Sequence, residues 1–353
     1  MKIDFVLPMT NLRNPRAPHL DPAGMSGTDQ PCYGNAYELR KLGHQVRIWG
    51  PWTGTFRPDF DYPALECAAV RQADAVVAWH DGRDLPSWDA PVKIAHHQTY
   101  GLVDPHMGLG VEEADLYFSA TERNARFLAE RWGGPRWAVL PNACDLEGDE
   151  RPPWDPVPGR LIFHADPMRG LAGLLKVLPQ LIEAKPETHV HVYNFGMERL
   201  TCDQPTEASQ ERATAILEGI ERHKGRVVLS GSVSRHKMLQ ALSRAACYAY
   251  PCSPPTPCEV YPMSIADACA SGVPVVLWPD DGIEEVFRGG VDLVDSEAGF
   301  VERTTAMLTD TFQDEVMAAS DRGRDWSTQW SYRDTAQALL RAIEAVKGEK
   351  DAG

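Results

Sequence analysis

Short runs of apolar residues alternate with amphipathic stretches along most of the chain. In the first 146 residues, continuous apolar runs predict strands at residues 2–8, 45–49, 73–79, 92–95, 116–119 and 137–140. Apolar residues at helical spacing predict helices at residues 32–42 and 122–132. Strands that lack polar alternation and are separated by helices are typical of a parallel sheet with both faces covered.

The same rhythm resumes after a stretch with the composition of a linker. Residues 147–158 are rich in proline and acidic side chains, which favour an extended, solvated chain. Beyond them the pattern predicts strands at residues 160–164, 189–195, 226–230, 247–250 and 273–277, and helices at residues 170–184, 208–223, 236–245, 261–271 and 332–349. The sequence therefore predicts two doubly wound α/β domains in tandem. Ligands of such folds bind at the carboxyl ends of the strands, so we expect a site in the cleft between the facing domains.

Charge and composition narrow the classes of partner. The 353 residues include 35 Lys and Arg against 50 Asp and Glu, a formal net charge of −15. Neither half of the chain is basic, which excludes a nucleic acid or an anionic membrane as partner and requires a local pocket for any anionic ligand. No apolar run approaches the roughly 20 residues of a membrane span, and the first residues are unlike a signal peptide. None of the eight cysteines forms a Cys-x-x-Cys pair, so we expect reduced core cysteines in a cytoplasmic protein without integral membrane association.

Two carboxylates frame the predicted helix at residues 261–271. Glu259 lies just before this helix, and Asp267 lies nearly two turns in, on its apolar side. A buried carboxylate needs hydrogen-bond donors, which ribose hydroxyls would supply, and a helix start with its unpaired N–H groups suits a diphosphate. The spacing alone is equally compatible with Glu259 as a helix-start acid and Asp267 as the partner of a nearby arginine.

Residues 259–276 resemble the nucleotide-binding signature of the GT-B glycosyltransferases, specifically the retaining family 4 type. That signature is Glu, seven residues, Glu, then Ala-x-Ala-x-Gly-x-Pro-Val-Val, and this chain has Glu259, seven residues, Asp267 and then Ala-Cys-Ala-Ser-Gly-Val-Pro-Val-Val. The second Glu is shortened to Asp, and Pro262 replaces the usual Gly of the loop. Five further segments are similar to motifs of the family and follow the family's order: residues 74–80, Ser119, and residues 141–145, 281–286 and 330–331.

The resemblance implies a GT-B fold, that is, two facing Rossmann-like doubly wound domains with an interdomain cleft. Residues 1–150 would form an N-terminal acceptor-binding domain, on which the C-terminal helix at residues 330–353 would pack, and residues 158–329 would form the nucleotide-sugar-binding domain. The implied activity is retaining transfer of a sugar from a nucleotide diphosphate sugar to an acceptor hydroxyl, without a metal or other cofactor. The acidic N-terminal domain favours a small soluble acceptor, such as a natural product or a saccharide.

The resemblance also implies roles for individual residues. Arg169 occupies the position of a family Lys that neutralises the departing diphosphate, while His164 is the nearest substitute for an Arg that the family places earlier. Glu259 would hold the donor sugar and Asp267 the ribose. The remaining candidates are the helix-start residues Tyr261, Pro262 and Met263 and the glycine-rich turn at Gly27 for the donor, His97 as a catalytic residue, and Arg13, Arg16, His19 and His96 for the acceptor.

Two alternative functions fit the same fold. One is a GT-B relative with different chemistry, either a sugar-nucleotide epimerase or an enzyme that makes a non-glycosidic bond. The other is a non-catalytic binding partner that keeps the fold. A requirement for an acceptor would separate glycosyl transfer from epimerisation. Unchanged cellular activity on changing Glu259 to Ala would exclude the catalytic interpretation in favour of the binding partner.

Overall fold

The computed structural model describes residues 1–7, 26–50, 72–80, 82, 84–98, 111–133, 136–146, 149–193, 197–201, 206–252, 259–279, 283–309 and 314–352. The described residues form two compact units. Unit 1 contains those in the ranges 1–146 and 330–352, and unit 2 contains those in the range 149–329.

The strands carry one numbering through both units. They are β1 (Lys2–Val6), β2 (Gln45–Trp49), β3 (Ala75–Trp79), β4 (Val92–His97), β5 (Leu116–Ser119), β6 (Trp137–Val139), β7 (Arg160–Phe163), β8 (His189–Val192), β9 (Val227–Leu229), β10 (Tyr248–Pro251), β11 (Val275–Trp278) and β12 (Asp292–Leu293).

The helices are numbered in the same way. They are α1 (Asp29–Lys41), α2 (Glu122–Trp132), α3 (Leu171–Ala184), α4 (Glu207–Arg222), α5 (Arg235–Leu242), α6 (Met263–Ala270), α7 (Ile283–Phe287), α8 (Glu297–Thr309), α9 (Asp314–Ser327) and α10 (Tyr332–Ala352). Within the described ranges, every helix is too short or too polar to cross a membrane.

Unit 1 is built on a six-stranded sheet with the order β2-β1-β3-β4-β5-β6, and every pair of neighbours is parallel. Strands β3 and β5 are buried along their whole length, as continuous apolar runs require when both faces are covered. One face packs against α1 and α10, which share a core with Ile3, Phe5 and Ile94. The other face carries an aromatic cluster in which the rings of Trp49 and Trp88 meet edge to face at 5.2 Å.

Unit 2 contains two three-stranded parallel sheets, β7-β8-β9 and β10-β11-β12. A parallel bridge between Leu161 and Cys247 makes β7 and β10 neighbours. The chain thus winds outward from β7 to β9 and then returns to the opposite side of β7. The carboxyl ends of β7 and β10 therefore flank a topological switch point, where doubly wound folds bind their ligands. The prediction of two doubly wound α/β domains in tandem is confirmed.

The segment predicted as a linker is largely attached to unit 2. The Asp155 amide donates to the Ser243 carbonyl at 2.8 Å, and the Trp154 indole donates to the Ala245 carbonyl at 2.7 Å. The Val157 amide donates to the Arg244 carbonyl at 3.0 Å. Because these bonds satisfy the backbone and the indole, residues 149–157 follow the surface of unit 2 despite their proline-rich, acidic composition.

Candidate active site

Arg169 lies where the chain leaves the carboxyl end of β7. A short 3-10 helix, Pro167–Arg169, begins at Asp166, whose carboxylate accepts a hydrogen bond from the Met168 amide at 2.9 Å. Gly170 then turns the chain into α3 with φ +136°, a conformation that favours glycine. A side chain at Gly170 would also bring its Cβ within 3.1 Å of the Pro251 carbonyl oxygen. The turn therefore packs closely on the end of β10.

Glu259 lies opposite this turn and meets Arg169 directly. The Arg169 guanidinium donates to Glu259 Oε2 at 3.0 Å, and the Tyr250 hydroxyl donates to Glu259 Oε1 at 2.8 Å. The Glu259 side chain is 6% exposed and that of Arg169 is 36% exposed. A carboxylate from the segment after β10 and a guanidinium from the turn after β7 thus form one charged site at the switch point.

Tyr250 was not predicted from the sequence. It is fully buried at the end of β10, and burial together with the nearby Glu259 carboxylate holds its pKa well above the usual value, so the hydroxyl remains a donor. The sequence does place a tyrosine hydroxyl at the carboxyl end of a mostly apolar strand. A buried hydroxyl needs a hydrogen-bond partner, and this end of the strand is the ligand-binding edge of the sheet, so the position could have indicated a site residue.

Asp267 is paired with an arginine, as the second interpretation of its spacing anticipated. Arg235 donates from its two terminal nitrogens to Asp267 Oδ2 at 2.8 Å and Oδ1 at 2.9 Å. The same guanidinium donates to Asp149 at 2.6 Å, and Arg151 approaches Asp267 Oδ1 at 3.3 Å. Although burial opposes ionisation, these cations lower the pKa of Asp267 to about 2. Asp267 is therefore an ionised, structurally anchored carboxylate.

Arg235 was also not predicted from the sequence. It is the first residue of α5, directly after Ser234, whose hydroxyl caps the helix by accepting from the Lys237 amide. A cation at a helix N-terminus is electrostatically unfavourable unless carboxylates surround it. The position of Arg235 at the start of a predicted helix could therefore have indicated that acidic side chains lie around it.

His164, the candidate for a second cation near the diphosphate, lies at the end of β7 with both of its ring nitrogens buried. Its ring meets Tyr248 edge to face at 5.3 Å, and burial, reinforced by the Arg235 charge, lowers its pKa to about 4 in spite of Asp267. The imidazole is therefore neutral at pH 7. This setting does not favour a charged His164 in place of the missing family arginine, and its contact with the donor stays a prediction.

Helix α6 begins at Met263, two residues later than predicted. Pro262 has extended backbone angles, φ −69° and ψ 105°, and serves as the residue before the first turn. The helix-start amides are consequently those of Met263 and Ser264, since the first N–H groups of a helix lack intrahelical partners. Tyr261 lies outside the helix, with its ring 5.8 Å from Phe287 and 6.5 Å from Trp326.

The two histidines at the end of β4 point to opposite faces of the unit 1 sheet. His96 is fully buried and stacks on Trp79 at 4.1 Å, its Nε2 is 3.3 Å from the Leu140 carbonyl, and its Nδ1 is 2.9 Å from Gln98 Nε2. Burial lowers the pKa of His96 to about 3. Because both of its nitrogens bond inside unit 1, this geometry does not favour the acceptor contact expected of His96.

His97 lies in the aromatic cluster on the other face of the sheet. Its ring is 5.2 Å from that of Trp132 and 5.5 Å from that of Trp137, and it is fully buried. Gly27 lies in the exposed turn before α1. Arg13, Arg16 and His19 lie outside the described residues. In the part of the chain that the structure describes, no three His, Cys, Asp or Glu side chains converge as a metal site requires.

The fold and one segment of the sequence match known proteins. Residues 158–310 match the model of a family described as glycosyl transferases group 1. Among solved structures, sucrose-phosphate synthase from Thermosynechococcus elongatus is 11% identical over 99% of this chain and 100% of its own, with a TM-score of 0.71. AviGT4, a glycosyltransferase involved in avilamycin A biosynthesis, is 17% identical over 99% of this chain and 98% of its own, with a TM-score of 0.66.

A third structure was solved with ligands. The pneumococcal O-GlcNAc transferase GtfA, in complex with UDP and GlcNAc, is 13% identical over 77% of this chain and 56% of its own, with a TM-score of 0.55. No protein of curated function matches the sequence. The chain nevertheless has the GT-B fold, and the match to the glycosyl transferases group 1 family lies within unit 2, so the resemblance to GT-B glycosyltransferases is confirmed.

Proposed function

We propose that this protein is a retaining glycosyltransferase that moves a sugar from a nucleotide diphosphate sugar to the hydroxyl of a small soluble natural product or saccharide. The observation that carries the proposal is the pairing of Arg169 and Glu259 at the switch point of unit 2, inside the segment that matches the glycosyl transferases group 1 family. A cation for phosphate and a carboxylate for sugar hydroxyls are the groups that such a donor needs.

The proposed chemistry depends on charge stabilisation by Arg169. As the bond between the sugar and the β-phosphate oxygen breaks, the nucleoside diphosphate carries away the electron pair. The acceptor hydroxyl bonds to the sugar and gives up its proton to an oxygen of the departing diphosphate. A guanidinium binds phosphate oxygens bidentately, so Arg169 stabilises the leaving group once it turns from Glu259 to the diphosphate. The helix-start amides of Met263 and Ser264 add partial positive charge.

The two carboxylates take different parts of the donor in this proposal. Glu259 accepts hydrogen bonds from the sugar hydroxyls. Asp267, already held by Arg235, accepts from the ribose through the lone pairs that a carboxylate oxygen retains after one hydrogen bond. Gly27 and His97 in unit 1 stay candidates for the donor phosphate and the reacting sugar, and Arg13, Arg16 and His19 stay candidates for the acceptor. Protein cations and amides do the work of a metal in this scheme, so no cofactor is proposed.

The first experiment is a thermal-shift panel of UDP-, GDP-, ADP- and dTDP-sugars with the full chain. We expect one nucleotide class to raise the melting temperature by a few degrees, because a ligand at about 100 times its dissociation constant stabilises the folded state by about 2.7 kcal/mol. Arg169→Met should abolish the shift and, with an acceptor, lower kcat on the order of 100-fold.

Lys176→Met is the matched control, since Lys176 lies on α3 with its side chain 70% exposed and pairs with Glu297 at the surface. The proposal fails if no nucleotide sugar stabilises the protein, or if both variants behave alike. With a donor and an acceptor in hand, nuclear magnetic resonance of the product tests retention at the anomeric carbon, and the reaction rate in excess EDTA tests the absence of a metal requirement.

A further inference from the structure

Arg169 and Tyr250, two described residues that donate hydrogen bonds to Glu259, differ in their freedom to move. Arg169 reaches Oε2 with a long side chain that is 36% exposed. Tyr250 reaches Oε1 from a fully buried ring, whose centroid lies 6.0 Å from that of Phe163 and 6.1 Å from that of Tyr248. A guanidinium on a flexible, half-exposed stem can exchange partners, whereas a packed ring cannot turn without opening the core.

The surroundings of Tyr250 fix the ring further. A Cβ placed on Gly170 would lie 3.4 Å from Tyr250 Cε2, so the turn that carries Arg169 packs directly on the ring. The high pKa of Tyr250 keeps its proton on the hydroxyl at any neutral pH. Tyr250 is therefore a permanent donor at a fixed position, which leaves Glu259 with a defined orientation whatever Arg169 does.

We propose that Tyr250 is a positioning residue for the donor sugar: its hydroxyl holds Glu259 in the orientation that receives the sugar hydroxyls. Arg169 is the exchangeable partner that leaves Glu259 for the diphosphate, and Tyr250 is the partner that stays. This inference rests on the proposed function and deepens it. It assigns Tyr250 to recognition of the sugar and not of the nucleoside diphosphate.

Tyr250→Phe tests this assignment because it removes one hydroxyl and keeps the ring. The probes are four pairs of nucleoside diphosphate and nucleotide sugar: UDP and UDP-glucose, GDP and GDP-mannose, ADP and ADP-glucose, and dTDP and dTDP-glucose. Dissociation constants of the variants are measured by calorimetry with the pair that the unmodified protein binds. We expect the variant to bind the nucleotide sugar about tenfold more weakly, the size of one hydrogen bond to a charged group, and the nucleoside diphosphate within about twofold of the unmodified protein.

Two further variants keep the experiment decisive. Tyr248→Phe removes the hydroxyl of a ring that is also fully buried on β10 but reaches towards Ser264, and it should leave the ratio of the two dissociation constants unchanged. Glu259→Gln should weaken binding of the sugar relative to the bare nucleotide, as Tyr250→Phe does. The double variant should lose no more than Glu259→Gln alone, because Tyr250 acts through Glu259.

The outcomes separate the inference from the function beneath it. If none of the nucleotides binds to the unmodified protein, the proposed function fails and this inference with it. The inference alone is overturned if the unmodified protein binds a nucleotide sugar, but Tyr250→Phe changes the affinities for the nucleotide sugar and the nucleoside diphosphate equally or changes neither. It is also overturned if the loss of affinity in Tyr250→Phe adds to that in Glu259→Gln. In each case Tyr250 has only a structural role.

Discussion

The carboxylate of Asp267 and the guanidinium of Arg235 are almost completely removed from water, with side chains 6% and 4% exposed. Asp149 adds a second carboxylate on the same guanidinium, and its side chain is 3% exposed. Burial of charge is costly, and these groups tolerate it because donors and acceptors are matched in paired geometry. The same pairing ties the start of residues 149–157 to α5 and α6.

We expect Arg235→Met to lower the free energy of unfolding by about 3–5 kcal/mol at pH 7, because it leaves buried carboxylates without their main partner. Urea unfolding followed by circular dichroism measures the change. Arg244→Met is the matched control, since Arg244 pairs with Asp155 at the surface, where an ion pair contributes at most about 1 kcal/mol. Equal effects of the two substitutions would contradict a stabilising role for the buried cluster.

Acidification provides an independent check of the same cluster. The folded-state pKa of Asp267, about 2, lies below the value near 3.9 of an unfolded aspartate, so its contribution is fully present above about pH 4 and is lost as the pH falls through 2. The expected loss is about 2 kcal/mol. In Arg235→Met, Asp267 protonates at higher pH, so the destabilisation should shrink between pH 7 and pH 3; a cost that stays constant with pH would refute this.

The residues of the candidate site differ in how far sequence could identify them. The sequence is sufficient to identify Glu259, Asp267 and Arg169, because each lies in a short motif with a recognisable spacing. Their partners are not identifiable in this way: Asp149 and Arg235 lie 118 and 32 positions before Asp267, and nothing in their local sequence pairs them with it. The neutrality of His164 was equally hidden, because it depends on burial beside Tyr248 and on the charge of Arg235.

Elements with strong apolar runs were predicted well. The structure places β2, β5 and α2 at the predicted residues, and most other strands differ by one to three residues at an end. The start of α6 was missed because Pro262 adopts extended angles and excludes Tyr261 from the helix. Helices α7, α8 and α9 and strand β12 were not predicted. The buried face of α9 includes Ala319, Ser320 and Gly323, so its helical spacing is not visible as an apolar stripe.

Close packing of α1 on α10 depends on a single glycine. A Cβ added at Gly34 would lie 2.4 Å from the ring of Tyr332, which is itself 4% exposed. We expect Gly34→Ala to destabilise unit 1 by about 1–3 kcal/mol, because overpacking outweighs the better helix propensity of alanine. Hydrogen exchange of peptides from α1 and α10 measures this.

The same substitution on an open part of α10 should act in the opposite direction. A Cβ added at Gly348 would meet nothing within 4 Å, so Gly348→Ala should stabilise the helix by up to about 1 kcal/mol. If Gly34→Ala also slowed hydrogen exchange, the contact between α1 and α10 would accommodate a methyl group at residue 34. The close approach of the two helices would then not contribute to the stability of unit 1.

At the scale of the whole molecule, unit 1 is completed by residues from the far end of the chain. Its sheet is formed before residue 140, yet its core includes buried side chains of α10, namely Tyr332, Ala336, Leu339, Ile343 and Val346. The Thr335 hydroxyl adds a buried hydrogen bond to Asn35 at 2.9 Å. The chain must therefore pass through all of unit 2 before the core of unit 1 can close.

This connectivity predicts that damage to α10 opens unit 1 and spares unit 2. Leu339→Asp places a charge in a fully buried position, which costs several kcal/mol unless the helix detaches. We expect amides of β1, β3 and β4 to exchange much faster in this variant, while amides of β7, β10 and β11 keep their protection. Peptide-resolved hydrogen exchange followed by mass spectrometry distinguishes the two units.

Arg341→Asp is the matched control, because it introduces the same residue two positions along α10 at an exposed site. It should leave exchange in both units within about twofold of the unmodified chain, since exposed substitutions change stability by roughly 0.5 kcal/mol or less. If Leu339→Asp instead accelerated exchange in β7 and β10 as much as in β1 and β3, the two units would unfold as one. With unit 2 still protected, retained nucleotide-sugar stabilisation in Leu339→Asp would locate donor binding in unit 2 alone, independently of the folding of unit 1.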